Sequence, residues 1–229
     1  MERRASAAHV FVDDLDDPVL ASDDAHHLSR VLRLRDGEVV TVSDGAGRWR
    51  TCRFSNGSLV VDGDVEVEEQ PVGVTILFAL GKGDKPEIVV QKLTELGVSR
   101  IVPFVAERSV VKWDTDKARR NVERLRKVAR EAAMQSRQVR LPRIDEVQSS
   151  LADATSLVGD VAVAEPGGSP LDASVMAIAI GPEGGFSAVE LEGRHTVALP
   201  GGVLRAETAA VVAGALLVAA TESGRSDLQ

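Results

Sequence analysis

The sequence predicts an α/β fold: a small β-rich module over residues 1–70, then a larger domain over residues 71–229 with a parallel sheet and covering helices. Three observations predict it. Short strand-like runs separated by turn residues fill most of the first module. From residue 74 onward, apolar runs at 74–80, 101–105, 161–164 and 176–180 show no polar alternation, as expected of strands buried on both faces. Several of these runs stop in glycine-bearing turns, and the carboxyl ends of strands are where open α/β sheets bind ligands.

In the first module, residues 9–12, 39–43, 48–54 and 58–68 read as strands, the last interrupted by Asp62-Gly63. Asp44-Gly45-Ala46-Gly47 is a hairpin loop by its turn chemistry. One helix is capped by Ser22 or Asp23 and places Leu28, Val31 and Leu32 on a common face. The acidic stretch 66–73, which holds Pro71, marks the boundary. Beyond it, strand 74–80 leads through Gly81-Lys82-Gly83-Asp84-Lys85 into a helix with Pro86 near its start and Gly97 at its end. The glycine loop lacks the Gly-x-x-x-x-Gly-Lys-Ser/Thr spacing of a P-loop, which argues against an NTPase.

Residues 117–139 form the strongest helix of the sequence, with Ala118, Val122, Leu125, Ala129 and Ala132 at helical spacing and Asp114 or Thr115 as cap. Its other faces are basic. Residues 82–143 hold 16 Lys and Arg against 8 Asp and Glu, although the whole chain carries a net charge of -8. A basic stretch in an acidic protein points to an anionic partner, and Lys and Arg contacts supply most non-specific RNA affinity. Strand 161–164 ends in Glu165-Pro166-Gly167-Gly168, strand 176–180 in Gly181-Pro182-Glu183-Gly184-Gly185, and strand 196–199 in Pro200-Gly201-Gly202. Ser187 and Glu190 form a capping box that starts a helix after the second turn. The final helix, to about residue 221, is apolar nearly all round and is expected to be buried in the core or against a second subunit. Three such turns suggest a nucleotide-like ligand held by backbone groups. None has the Gly-x-Gly-x-x-Gly pattern, which disfavours a nicotinamide enzyme.

Cys52 is the single cysteine, and the four histidines lack metal-ligand spacing, so no metal site is expected. The longest apolar run, residues 209–220, falls short of the roughly 20 residues of a bilayer span. No apolar signal core follows Met1-Glu2-Arg3-Arg4, and the expected compartment is the cytoplasm.

Seven short stretches carry a family resemblance. They are His27-Leu28 with Val31-Leu32-Arg33, Lys82-Gly83-Asp84-Lys85, residues 91–97, Glu107-Arg108-Ser109, Gln135-Ser136-Arg137, residues 181–187, and Leu204-Arg205 with Glu207-Thr208-Ala209. In this order and spacing the chain resembles the bacterial 16S ribosomal RNA uridine-N3 methyltransferases, the methyltransferase E family of the SPOUT class. The resemblance implies an N-terminal PUA-like RNA-binding β-barrel, a C-terminal SPOUT domain with a trefoil knot, S-adenosylmethionine (SAM) as methyl donor, and a homodimer acting on ribosomal RNA or the small ribosomal subunit, with no membrane partner. The expected cofactor residues are Ile180, Gly181, Pro182, Glu183, Gly184, Gly185, Leu199, Gly201, Gly202, Leu204, Arg205, Thr208 and Ala209. Arg33, Arg108, Arg119, Arg120, Arg124, Lys127, Gln135 and Arg137 are the expected RNA contacts. Methylation at N3 requires an extruded base whose developing anion is stabilised, a role that falls to Arg205, with Glu207 as base or orienter. A SPOUT enzyme acting on another RNA or a ribose 2'-hydroxyl, and a noncatalytic RNA-binding protein, are the alternatives. An ion pair between Arg205 and Glu207 is the purely structural one.

Overall fold

The computed structural model describes residues 3–172 and 174–226; the outermost residues of the two expected domains, Met1, Glu2 and residues 227–229, lie outside that range. The chain divides into two compact units, one of Met1–Gln70 with Arg130–Leu141, the other of Pro71–Ala129 with Pro142–Gln229. The basic helix therefore contributes its last turns to the first unit, a division no local pattern announces.

The first unit is built on strands β1 (Ala8–Phe11), β2 (Val39–Ser43), β3 (Arg48–Ser55), β4 (Ser58–Val61) and β5 (Glu66–Val67). β1 pairs parallel to β2, β2 to β4 form an antiparallel meander, and β5 pairs with β3. Val10, Val40, Val42, Leu28, Cys52 and Phe54 fill the core. α1 (Ser22–His26) begins without a side-chain cap, contrary to the expectation for Ser22 or Asp23. It runs into a π-helical turn, His27–Val31, where the Leu32 amide bonds the His27 carbonyl at 2.9 Å. The wider turn breaks the 3.6-residue period, so Leu28 is buried while Val31 and Leu32 stay 60% and 45% exposed instead of sharing its face.

The second unit is a wholly parallel six-stranded sheet of β6 (Thr75–Ala79), β7 (Arg100–Phe104), β8 (Arg143–Ile144), β9 (Ala162–Pro170), β10 (Ala177–Ile180) and β11 (Thr196–Ala198). Its order is β11-β9-β10-β6-β7-β8. Alternate residues of β6 enter opposite layers. Ile76 and Phe78 meet a core that includes α2 (Lys85–Glu95), α3 (Thr115–Ser136) and α6 (Ala206–Ser226), while Leu77 and Ala79 meet Leu151 and Ala154 of α4 (Leu151–Val158) and Phe186. α2 ends in a Schellman motif at Gly97, φ 82°, with Val98 N–H donating to Leu93 O and Gly97 N–H to Thr94 O. Asp114 caps α3 by accepting the Lys117 amide at 2.8 Å. α6 is long and apolar enough to cross a membrane by length and composition alone, and Ala210, Ala213, Gly214 and Leu217 are its buried stripe.

β9 departs from the expected short strand. Val163 pairs with Thr196, but the next paired residue is Ser169, opposite Val197. The intervening Ala164-Glu165-Pro166-Gly167-Gly168 bulges out of the ladder before the strand resumes, because Pro166 has no amide to donate.

Candidate active site

Strand order fixes where the site forms. β9, β10 and β11 are neighbours, so the β9 bulge and the turns leaving β10 and β11 open on one cavity of about 410 Å³, within the range of small-molecule sites. The bulge contributes residues 164–167. The β10 exit contributes Ile180, Gly181, Pro182, Glu183, Gly185 and Phe186, and the β11 exit Ala198, Leu199, Gly201, Gly202, Val203 and Leu204, with Ala206 and Ala209 from the start of α6.

Local chemistry sets each wall. Gly185 and Gly201 have φ of 67° and 103°, which side chains rarely adopt. A Cβ at Gly185 or Gly202 would meet nothing within 4 Å, so packing does not demand glycine there; open space beside the backbone is what glycine leaves. Gly181 is close-packed, its hypothetical Cβ 3.0 Å from the Phe186 ring. The capping box beyond is complete: Glu190 Oε2 accepts the Ser187 amide and Ser187 Oγ accepts the Glu190 amide. Glu190 Oε1 also accepts the Glu107 amide at 3.0 Å, which ties the β7 exit to the β10 exit. Arg108 then donates to the Gly184 carbonyl at 3.0 Å.

Ten of the thirteen expected cofactor residues lie in the cavity wall: Ile180, Gly181, Pro182, Glu183, Gly185, Leu199, Gly201, Gly202, Leu204 and Ala209. Gly184, Arg205 and Thr208 do not. Gly184 turns its carbonyl to Arg108, and Arg205 and Thr208 are exposed where α6 begins. Arg205 accepts the Ala209 amide with its carbonyl and forms no side-chain ion pair among the described residues. Glu207 pairs instead with Lys85, at 3.4 Å, so an Arg205–Glu207 ion pair is not formed. The sequence counts the 165–168 turn among the three ligand turns but singles out none of its residues as a cofactor contact, and it gives Phe186 and Lys85 no role in the site. The glycines of the bulge were its visible signal.

The expected RNA contacts separate by environment. On α3, Lys117, Arg120, Arg124 and Lys127 recur at three- and four-residue steps on the face opposite Val122 and Leu125, and all four are exposed. Arg124 reaches Glu87 at 3.1 Å and Arg119 reaches Asp116 at 3.4 Å. In the first unit, Gln135 is exposed, and Arg33 is exposed with φ 55° just past the π-turn. Arg137 is committed elsewhere: it donates to the carbonyls of Ser6, Ala7 and Met134, and burial lowers the pKa of its guanidinium. These bonds hold the chain before β1.

The ligand cavity over the strand exits and the cationic stripe of α3 belong to the same unit of the chain. Residues 68–218 match the RNA methyltransferase domain, and residues 20–61 match the RNA methyltransferase PUA domain. The ribosomal RNA small subunit methyltransferase E of Bacillus subtilis (strain 168) is 32% identical over 235 residues, 91% of this chain and 92% of the relative, and the chain belongs to that family. A Legionella pneumophila protein solved in complex with the bound cofactor SAM is 26% identical, with TM-score 0.80 over 93% of this chain and 97% of that one. The ribosomal RNA small subunit methyltransferase E of Neisseria gonorrhoeae, bound to S-adenosyl methionine, shares the fold at TM-score 0.76 and 24% identity, over 92% of this chain and 96% of that one.

Proposed function

We propose that this protein transfers the methyl group of SAM to N3 of a uridine in small-subunit ribosomal RNA, acting as a cytoplasmic homodimer. The observation that carries the reading is the glycine-walled cavity over β9, β10 and β11, in a chain of the methyltransferase E family. The residues present fit SAM. Backbone amides and carbonyls of the 181–185 and 201–204 turns suit a nucleoside's hydrogen-bonding edges, Ile180, Leu199 and Leu204 suit its apolar faces, and the glycines leave room for close approach. When bound, SAM supplies an electrophilic methyl on a sulfonium.

The chain's own residues do the rest. N3 of uridine carries a weakly acidic proton on the pairing edge, so the base must be unstacked and the proton removed as the N–C bond forms. Glu207, half-buried with a carboxylate that lacks a hydrogen bond at Oε2, is the group that accepts or orients that proton. Arg205, exposed at the rim and without a side-chain ion pair among the described residues, stabilises the negative charge that develops on the base. Arg108, anchored on Gly184, and the α3 stripe hold the phosphates.

Two further parts of the reading concern the whole chain. α6 is apolar along Ala206–Ser223, yet Leu216 remains 39% exposed beside a groove lined by Leu171, Pro200 and Ala220, which suits a second copy. The trefoil knot is supported by the chain path. β10 inserts between β9 and β6, β11 then lies outside β9, and α6 returns to pack on β6 and β10.

The test is nucleoside mass spectrometry of small-subunit RNA from cells lacking the protein, after incubation with purified protein and SAM. Restored 3-methyluridine is the expected product; a 2'-O-methyl nucleoside, or no product, overturns the proposal. Arg205→Ala should lower kcat by about 100-fold or more with SAM affinity little changed, and wild-type turnover would remove Arg205 from the mechanism.

A further inference from the structure

Lys85 is the first residue of α2, followed by Pro86, so its backbone is fixed at the exit of β6. A Cβ at Gly81 would stand 3.1 Å from Lys85 Cδ, which means that Gly81 clears the path of the lysine stem. From there the ammonium bonds the Glu183 carboxylate and approaches Glu207 Oε2 at 3.4 Å. Glu183 stands in the cavity wall, and Glu207 directly follows Ala206, which also does. A recess of about 10 Å³, lined by Gly81, Lys85, Gly181 and Glu207 among others, lies beside them. It has room for about one water.

The contacts are unequal. Lys85 makes a hydrogen bond to Glu183, whereas Glu207 Oε2 lies within ion-pair reach but without hydrogen-bond geometry. The Glu183 bond is the largest influence raising the Lys85 pKa and lowering that of Glu183, so both stay charged at neutral pH. The side chains are 28%, 47% and 18% exposed for Lys85, Glu183 and Glu207, and Glu207 is the least screened by water. Without the ammonium, two carboxylates close to one point would repel each other, and the turns that carry them would part.

We infer that Lys85 is a positioning residue of the methyl-transfer site, whose ammonium latches the Glu183 turn to the start of α6 and so holds two walls of the SAM cavity in register. This rests on the reading of that cavity as the SAM site. The latch does not touch the reacting atoms; it fixes the spacing of groups that do.

The test is calorimetric titration of SAM into wild type, K85A, K85R and K85A/E183Q, together with steady-state kinetics and thermal unfolding. K85A should weaken SAM binding by about tenfold and raise KM for SAM more than it lowers kcat. K85R, whose guanidinium can reach both carboxylates, should stay within about threefold of wild type. K85A/E183Q should bind SAM more tightly than K85A, because one of the repelling charges is gone. If K85A does not fold, K85Q keeps the stem, removes the ammonium charge and leaves both carboxylates in place, and it should show the same weakening. Wild-type affinity in K85A, or in K85Q, overturns the latch, as does a K85A/E183Q affinity no better than that of K85A. A wild-type protein that binds no SAM overturns the cavity assignment and the latch together.

Discussion

Neutralising the free cations of the α3 stripe gives the most direct test of RNA contact. Lys117, Arg120 and Lys127 are exposed and make no side-chain ion pair among the described residues, and Lys117 and Lys127 stand ten residue steps, about 15 Å of helix, apart. Each phosphate neutralised by such a cation contributes a salt slope of about 0.9 for a duplex and about 0.7 for a single strand. The triple variant K117Q/R120Q/K127Q should therefore flatten the slope of log K against log salt by about 2 to 3. At about 0.15 M salt each lost contact is worth about 0.6 to 0.7 log units, so affinity should fall about 50- to 150-fold. Glutamine keeps helix propensity, and none of the three side chains is buried, so unfolding should be unaffected. Fluorescence anisotropy of a labelled small-subunit RNA fragment over a salt series reads both quantities. An unchanged slope would refute the phosphate assignment, even if affinity fell. Arg124→Gln alone should cost less than a free cation, because Arg124 must first leave Glu87.

Other perturbations test the fold beneath the site. A Cβ at Gly168 would lie 2.7 Å from backbone atoms of Thr196 and Val197, which cannot move without breaking the β9–β11 ladder, so Gly168→Ala should cost about 2–3 kcal/mol in urea unfolding and weaken SAM binding. Arg130 bonds both oxygens of Asp24, whose side chain is 9% exposed, and also the Phe11 carbonyl. Arg130→Ala should destabilise by about 3 kcal/mol, and adding Asp24→Asn should recover part of the loss, since no unpaired charge then remains buried. The His9 ring bonds Thr41 Oγ1 at 2.8 Å, and burial, aided by Arg3 and Arg137, holds its pKa down to about 3. Its folded pKa is depressed, so the unfolded chain binds a proton below about 6.5 that the folded chain refuses, and stability falls as pH drops from 6.5 toward 3. Between pH 7 and 5, wild type should lose about 2 kcal/mol more than His9→Asn in denaturant titrations, and equal losses would refute the assignment.

Local patterns in the sequence announce the features that depend on local chemistry. The Ser187–Glu190 capping box, the Schellman glycine Gly97 and the hairpin at Asp44 all depend on residues within a few positions of each other, and all are present. The unbroken apolar runs declare a parallel sheet because period-two alternation vanishes when both faces are covered, as Ile76 and Leu77 illustrate. What the pattern does not reveal depends on partners far along the chain. Residues 165–168 look like a turn that ends a strand, and only the resumption of pairing at Ser169 with Val197 makes them a bulge. Arg137 looks like every other arginine of the basic stretch, yet its partners are the carbonyls of Ser6 and Ala7. Lys85 has the same history: its bond to Glu183 crosses 98 residues. The short helix α4 escaped because eight residues carry little periodic signal, although Ser150 caps it by accepting the Asp153 amide.

The strand order also divides the chemistry of the site. β9, β10 and β11 stand together on one side of β6, and their exits offer the cavity mainly glycines, prolines and apolar residues. The charged groups come largely from elsewhere: Lys82 and Lys85 from the β6 exit, Arg108 from the β7 exit, and Arg205 with Glu207 from the start of α6. A wall of backbone, apolar groups and the Glu165 and Glu183 carboxylates presents no cation to repel a sulfonium ligand, whereas an anionic RNA needs the cations that come from the other elements. The two affinities should therefore separate under mutation. A side chain placed at Gly202, where a Cβ meets no protein atom within 4 Å, should obstruct SAM and leave the RNA salt slope intact. Arg108→Gln should reduce that slope by about one unit and leave calorimetric SAM affinity within about threefold of wild type. Joint loss of both affinities in either variant would mean that one surface serves both ligands, and the division argued from strand order would fail.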